Sequence, residues 1–307
     1  MTDKCRGAAS RAVAMRRIIM AALFALVVSL AASSVAQDFE TGMEAARRGD
    51  YAQALNELRP LAEQGSAQAQ YALGIMYGNG YGVPPDYAEA AKWVRMAAEQ
   101  GDAEAQSKLG IMYSKGVGVP HDQAEALKWY RRAAGQGVAE AQLNLGIMYD
   151  LGAEVAQDLG EAATWYRKAA EQGDARAQHN LAVMYADGLG VTQDHGEALT
   201  WFQRAAEQGH APAQNNLGLI HLFGENGPRD LVLAHMWLHL AARQLNEGPP
   251  KAREFLEGWM TPEEIAEAEK LAREWRPKPS SMPRSSLSET SGAAQAGEYS
   301  PSAMPTR

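Results

Sequence analysis

Three asparagines, Asn144, Asn180 and Asn216, stand 36 residues apart. An amide side chain both donates and accepts, so a ladder of them suits the backbone of an extended peptide. The alternative is three solvated asparagines tolerated near the middle of a helix. Two histidines, His235 and His239, lie four apart, the spacing at which one helix face can share a metal ion, with His221 upstream. The metal reading is the weaker one. No glutamate stands between the two in the metalloprotease arrangement, and His235 fills a column otherwise held by Ala or Leu, a packing position. His121, His179, His195 and His210 are expected at loops or outward positions and form no ligand set. Glu89, Glu125, Glu161 and Glu197 recur once every 36 residues, mostly with a basic residue nearby, which marks them as architectural rather than a unique acid/base pair. No nucleophile motif, phosphate loop or dinucleotide fingerprint is present, so no catalytic residue and no cofactor are assigned.

The elements that must position these residues repeat with the same period. Trp93, Trp129, Trp165, Trp201 and Trp237 form one column, Gln70, Gln106, Gln142, Gln178 and Gln214 a second, Leu73 to Leu217 a third and Asp86 to Asp230 a fourth. Self-similarity at this spacing marks a solenoid, whose units bury their apolar faces by stacking on one another. Within Ser66–Gly101, Ala69, Leu73, Met76 and Tyr77 recur at helical spacing behind Ser66 as a cap; this is helix A. Gly80, Gly82, Pro84 and Pro85 turn the chain. Asp86 then caps helix B, whose apolar face carries Ala90, Trp93, Val94, Ala97 and Ala98 before Gly101 ends it. Gly74, Gly110, Gly146 and Gly218 sit inside helix A, where glycine costs about 1 kcal/mol against alanine and must serve close approach of another helix. Ala182 takes that place once. The fold class is all-α, a right-handed α-solenoid of helix-turn-helix repeats.

A helical wheel centred on the Leu73 column puts positions equivalent to 68, 72 and 79 in an outward arc of roughly 40°. The repeats differ from one another in those columns, which contain Lys108, Lys115, Asn144, Leu151, Arg176, Asn180, Asp187, Asn216 and Phe223. These nine residues are the candidate partner-binding set, with Leu151 and Phe223 as apolar pockets or as packing for the adjacent loop.

Residues 1–36 resemble an export signal: Arg16 and Arg17, an apolar run from Ile18 to Leu30, then small residues with cleavage expected after Ala36. The run is short against the roughly 20 residues a membrane span needs, and Met15 is the more typical signal start. A general secretion signal fits better than a twin-arginine one, giving a periplasmic or secreted protein. The single cysteine, Cys5, lies in that leader. Removing it takes five of 29 basic and one of 37 acidic residues, leaving 24 against 36 and a net charge of −12. Such a surface repels phosphate backbones, so nucleic acid is not expected as a partner. Residues 37–65 read as a capping hairpin broken at Gly49 and Asp50. Five units follow, 66–101, 102–137, 138–173, 174–209 and 210–246. Met236 and Leu240 then require a lid, which segments Lys251–Trp259 and Thr261–Trp275 within 247–276 can supply. A Pro-, Ser- and Gly-rich tail, 277–307, reads as disordered.

The columns LGIMYGNGYGVPPD…AAKWVRMAAEQG from Leu73 and LGIMYSKGVGVPHD…ALKWYRRAAGQG from Leu109 resemble the Sel-one-like repeat family, relatives of the tetratricopeptide repeats. The pattern departs at Ala182, at Glu154 where a second loop glycine belongs, and at Asn226, Gly227 and His221 in the last unit. The resemblance implies a non-catalytic adaptor that binds a protein or peptide along the concave helix A face and assembles complexes, including in the cell envelope. A cysteine-rich secreted branch of the family is associated with β-lactam or cell-wall binding, so the alternative is an envelope ligand binder or weak hydrolase acting on peptidoglycan-like or β-lactam molecules. That branch staples its hairpins with disulfides, which this chain lacks.

Overall fold

The computed structural model describes residues 37–224, 227–245 and 255–279. The expected leader, residues 246–254 and the expected tail beyond residue 279 lie outside the described residues. All regular structure within them is helical, and the chain divides after Gln100 into two compact units.

The first unit holds α1 (37–47), α2 (Tyr51–Glu63), α3 (Ala67–Asn79) and α4 (Tyr87–Glu99). Helix α3 is an A helix and α4 its B helix. Asp86 caps α4 by accepting the Glu89 N–H at 2.9 Å, and Gly80 ends α3 in the left-handed conformation at φ 73°. A Cβ on Gly74 would lie 2.5 Å from Val94 Cγ2, which is why the helix tolerates a glycine there: the partner helix occupies its space. The α1–α2 pair repeats this arrangement. A Cβ on Gly42 would lie 2.8 Å from Leu58 Cγ, and Leu58 stands one period before Val94. Gly74 and Val94 are 20 positions apart and Gly42 and Leu58 are 16, so this hairpin is the same unit with its connection shortened by four residues. The shortened loop and the loss of the tryptophan column hide the homology from a fixed 36-residue comparison.

The second unit holds α5 (Ala103–Lys115), α6 (Gln123–Gly135), α7 (Ala139–Leu151), α8 (Leu159–Glu171), α9 (Ala175–Asp187), α10 (His195–Glu207), α11 (Ala211–Phe223), α12 (Leu231–Leu245) and α13 (Pro262–Glu274). Asp122, Asp158 and Asp194 cap the B helices α6, α8 and α10 through the N–H groups of Glu125, Glu161 and Glu197 at 2.9 to 3.0 Å. Each such cap contributes about 1 kcal/mol. Tyr130 and Tyr166 lie over Gly110 and Gly146, where a Cβ would sit 2.7 Å from ring carbons. The Tyr166 hydroxyl donates to Asp150 Oδ2 at 3.1 Å and so pins its ring. The tryptophans are mostly core, with Trp129, Trp201 and Trp237 buried, and basic side chains cover the outer ring faces: Arg132 over Trp129, Lys168 over Trp165, Arg204 over Trp201.

Met236 and Leu240 of α12 are buried in a cluster that includes Ala272, with Leu271 and Trp275 packed against it. On the other side of α12, Ala234 and Leu238 pack with Leu256. Helix α13 starts on a capping box in which Thr261 Oγ1 accepts the Glu264 N–H and Glu264 accepts the Thr261 N–H, with Pro262 at the first helical position.

Candidate functional site: a polar face on the A helices

The nine candidate residues all belong to the second unit. Lys115, Leu151, Asp187 and Phe223 are the last residues of α5, α7, α9 and α11, each followed by a left-handed glycine cap, and all four are exposed. Leu151 at 46% and Phe223 at 63% exposure are open to solvent rather than folded under their loops. One turn and more before them, Lys108, Asn144, Asn180 and Asn216 are half-buried, flanked by the buried leucine column at Leu109, Leu145, Leu181 and Leu217. In the first unit the same column holds Ala72, which is buried, so the outward arc from the wheel is only partly outward. Within the second unit, successive hairpins half-cover the middle of each A helix and leave its last residue exposed.

His179 is buried, not outward as expected from its position, and it bridges two of the three asparagines. Its Nδ1 lies 3.3 Å from Asn180 Oδ1, and its Nε2 lies 3.2 Å from Asn216 Nδ2. One neutral tautomer satisfies both contacts: Nδ1–H donates to the Asn180 oxygen, and Nε2 accepts from the Asn216 amide. Burial pushes His179 below the usual histidine range and the hydrogen bond to Asn180 partly opposes it, so the neutral form is the resident one. The contacts fix both amides and leave Nδ2 of Asn180 and Oδ1 of Asn216 as a donor and an acceptor. The His210 ring meets His179 edge-on at 5.1 Å, and burial first, then His179, push His210 down to about 4.

Arg176 stands apart from the ladder's chemistry. Its guanidinium bonds Asp174 at 3.0 Å and reaches Glu140 of the preceding A helix at 3.9 Å, so its charge is already matched. Glu104 lies on the same column, its carboxyl raised by burial and by the charges of Glu140 and Asp102.

The two histidines weighed for a metal are otherwise engaged. His235 is fully buried with Nε2 3.0 Å from Glu257 Oε1, and its ring stacks on His239 at 6.3 Å. Among the described residues no group of three or more His, Cys, Asp or Glu converges on a point where an ion could sit. The repeated glutamates serve the helices: Glu89 pairs with Lys92 at 2.7 Å, Glu125 with Lys128, and Glu197 accepts the Trp201 indole N–H at 3.1 Å.

A second glutamine column had no role assigned from sequence. Gln136, Gln172, Gln208 and Gln244 donate to Oε1 of Gln106, Gln142, Gln178 and Gln214 at 2.7 to 3.0 Å. Gln142, Gln178 and Gln214 in turn donate to the carbonyls of Ala134, Ala170 and Ala206 in the preceding B helix. The first unit repeats this with Gln100, Gln70 and Ala62. The signal was available, since these glutamines also recur every 36 residues in the sequences AAEQG and AAGQG.

The Sel1 repeat model matches residues 67–102, 103–138, 139–174, 175–210 and 211–244, and the chain belongs to the Sel1 repeat family. It is similar to the solved structure of a Sel1 repeat protein from Oxalobacter formigenes, at 32% identity and TM-score 0.66, over 76% of this chain and 98% of that one. It is also similar to c5321, a protective antigen present in uropathogenic Escherichia coli strains that displays an SLR fold, at 33% identity and TM-score 0.47, over 78% of this chain and 61% of that one. No match was found among the curated proteins. The fold is an all-α solenoid, and proteins of this family are generally protein-interaction scaffolds. No helix among the described residues is long and apolar enough to cross a membrane.

Proposed function

We propose that this protein is an exported, non-catalytic scaffold of the cell envelope that binds an extended peptide segment of a partner protein along the A-helix face of its second unit. The observation that carries the reading is the bridge from His179 to Asn180 and Asn216, which holds two amides of adjacent units in fixed orientation. A side chain fixed before binding loses less entropy when a ligand arrives. Asn144 extends the ladder by one unit, and exposed Leu151 and Phe223 offer apolar contacts at its edge. Lys115 and Asp187, at the same helix-end positions, set the charge a partner must complement. The leader-like sequence of residues 1–36 supports the envelope placement.

Photo-crosslinking from positions 144 and 151 in cells tests the reading, with the exposed B-helix position Glu171 as control. The expected result is one protein captured from both face positions and not from Glu171, with capture reduced at least tenfold by His179→Leu. Equal capture from Glu171, or capture indifferent to His179→Leu in a folded variant, defeats it.

A further inference from the structure

The strongest unassigned feature lies away from the A-helix face, where α12 meets α13. There a cavity of about 550 Å³ is lined by Leu240, Arg243, Ala272, Arg273, Trp275 and Arg276. Three arginines lining one cavity, with Gln244 beside them, are unexpected on a chain with 37 acidic and 29 basic residues. Arginines in the last turn of a helix commonly offset its dipole, and Arg276 does serve the end of α13, since its Nη1 donates to the carbonyls of Arg273 and Trp275 at 2.7 and 2.6 Å. That role leaves its other N–H groups open. Arg273 is held loosely, with Glu269 at 3.4 Å on an exposed face. Arg243, on α12, has no carboxylate partner among the described residues and is exposed.

The walls are fixed. Trp275 packs edge-on against Trp237 at 6.3 Å, and its backbone N–H closes on Leu271. Two residues past Arg276, Lys278 donates its backbone N–H to the Glu207 carbonyl at 2.8 Å and pairs its ammonium with the Glu207 carboxylate at 2.8 Å. The strand of chain carrying Trp275 and Arg276 is therefore pinned at both ends. Leu240 and Ala272 are buried and form an apolar floor.

We infer that this cavity is a binding site for an amphipathic carboxylate, an apolar body ending in a carboxyl group, as the C-terminal residue of a peptide presents. Guanidinium forks match the planar carboxylate, and Trp275, Leu240 and Ala272 accept the apolar part. The inference is independent of the A-helix reading, because it uses different residues on different elements.

The test is calorimetric titration of the full chain with a leucine-ended tetrapeptide as free acid, the same peptide as C-terminal amide, and inorganic phosphate. The free acid is expected to bind, the amide at least tenfold more weakly, and phosphate more weakly than the free acid. Arg243→Ala is expected to weaken the free acid at least tenfold with an unchanged melting temperature, and Arg243→Lys, which keeps the charge without the fork, to fall between. Absence of binding, equal affinity for acid and amide, indifference to Arg243→Ala, or a preference for phosphate over the peptide would each overturn the assignment. Titrating the His179→Leu variant separates the two readings, since its affinity for the free acid is expected to equal that of the unaltered protein.

Discussion

Nε2 of Gln172 donates to Oε1 of Gln142 at 2.7 Å, joining the end of helix α8 to the interior of its own A helix, α7. The Gln142 amide passes the link on to the Ala134 carbonyl at the end of α6, and the Gln172 amide also reaches the Gly137 carbonyl. Two amides thus staple the α7–α8 hairpin internally and to the hairpin before it. Burial makes the relay costly to interrupt, because a half-satisfied amide keeps its desolvation penalty.

Replacing Gln142 by leucine should therefore destabilise the protein by roughly 1–3 kcal/mol despite the gain in apolarity. Urea denaturation compares the variant with Gln172→Leu. The double variant should cost less than the sum of the singles, because the two side chains act as one relay; strict additivity would show that they do not.

Gly146 has no room for a methyl group beneath the Tyr166 ring, which the bond to Asp150 pins. Gly146→Ala is expected to cost roughly 1–3 kcal/mol by overpacking. In the next unit Ala182 and Phe202 hold the same two columns, so adding Tyr166→Phe, which frees the ring from Asp150, should recover part of the loss in a thermal melt.

Glu154 occupies the left-handed region at φ 59°, where the matching loop positions carry Gly82, Gly118 and Gly190. A residue with a Cβ pays about 1 kcal/mol there. Glu154→Gly is therefore expected to stabilise the protein by roughly 0.5–1 kcal/mol, after allowing for the extra freedom of glycine in the unfolded chain. A lower denaturation midpoint would show that the glutamate makes a compensating contact.

His210 is held near 4 by burial, by His179 and by Arg176, with Asp174 opposing, against an ordinary value of 6.5. The folded state therefore prefers neutral His210. Its contribution is complete above pH 6.5, falls as the pH drops from 6.5 because the unfolded chain binds the proton first, and is exhausted near pH 4. The loss across that window is roughly 1–3 kcal/mol. Denaturation at pH 7 and pH 4.5 should show a smaller difference for His210→Asn than for the unaltered chain, with the part due to His179 remaining; an identical difference would remove His210 as a cause.

The period, the hairpins, the aspartate caps and the glycine column were legible in the residues because each depends on local backbone preference or on a pattern repeated at constant spacing. The wheel placed the columns of Leu151 and Phe223 outward but left open whether these side chains fold under their loops; both are exposed. What the wheel could not supply is the rotation of one helix against the next. His179 and Asn216 are 37 positions apart, one off the period, and only the offset between stacked units brings the ring of one to the amide of the other. Ala72, at the same column in the first unit, is buried among that unit's own residues, while the asparagines are half open. The first hairpin is legible as a cap at 37–65, but its kinship with the repeats is hidden because its four missing residues shift Gly42 out of register, although Leu58 still fills the space above it. Around Arg243 the sequence shows only ordinary helix-end arginines. The cavity exists because α13 folds back on α12 and pins Trp275 and Arg276 opposite, a convergence of residues about 30 positions apart that no repeat encodes.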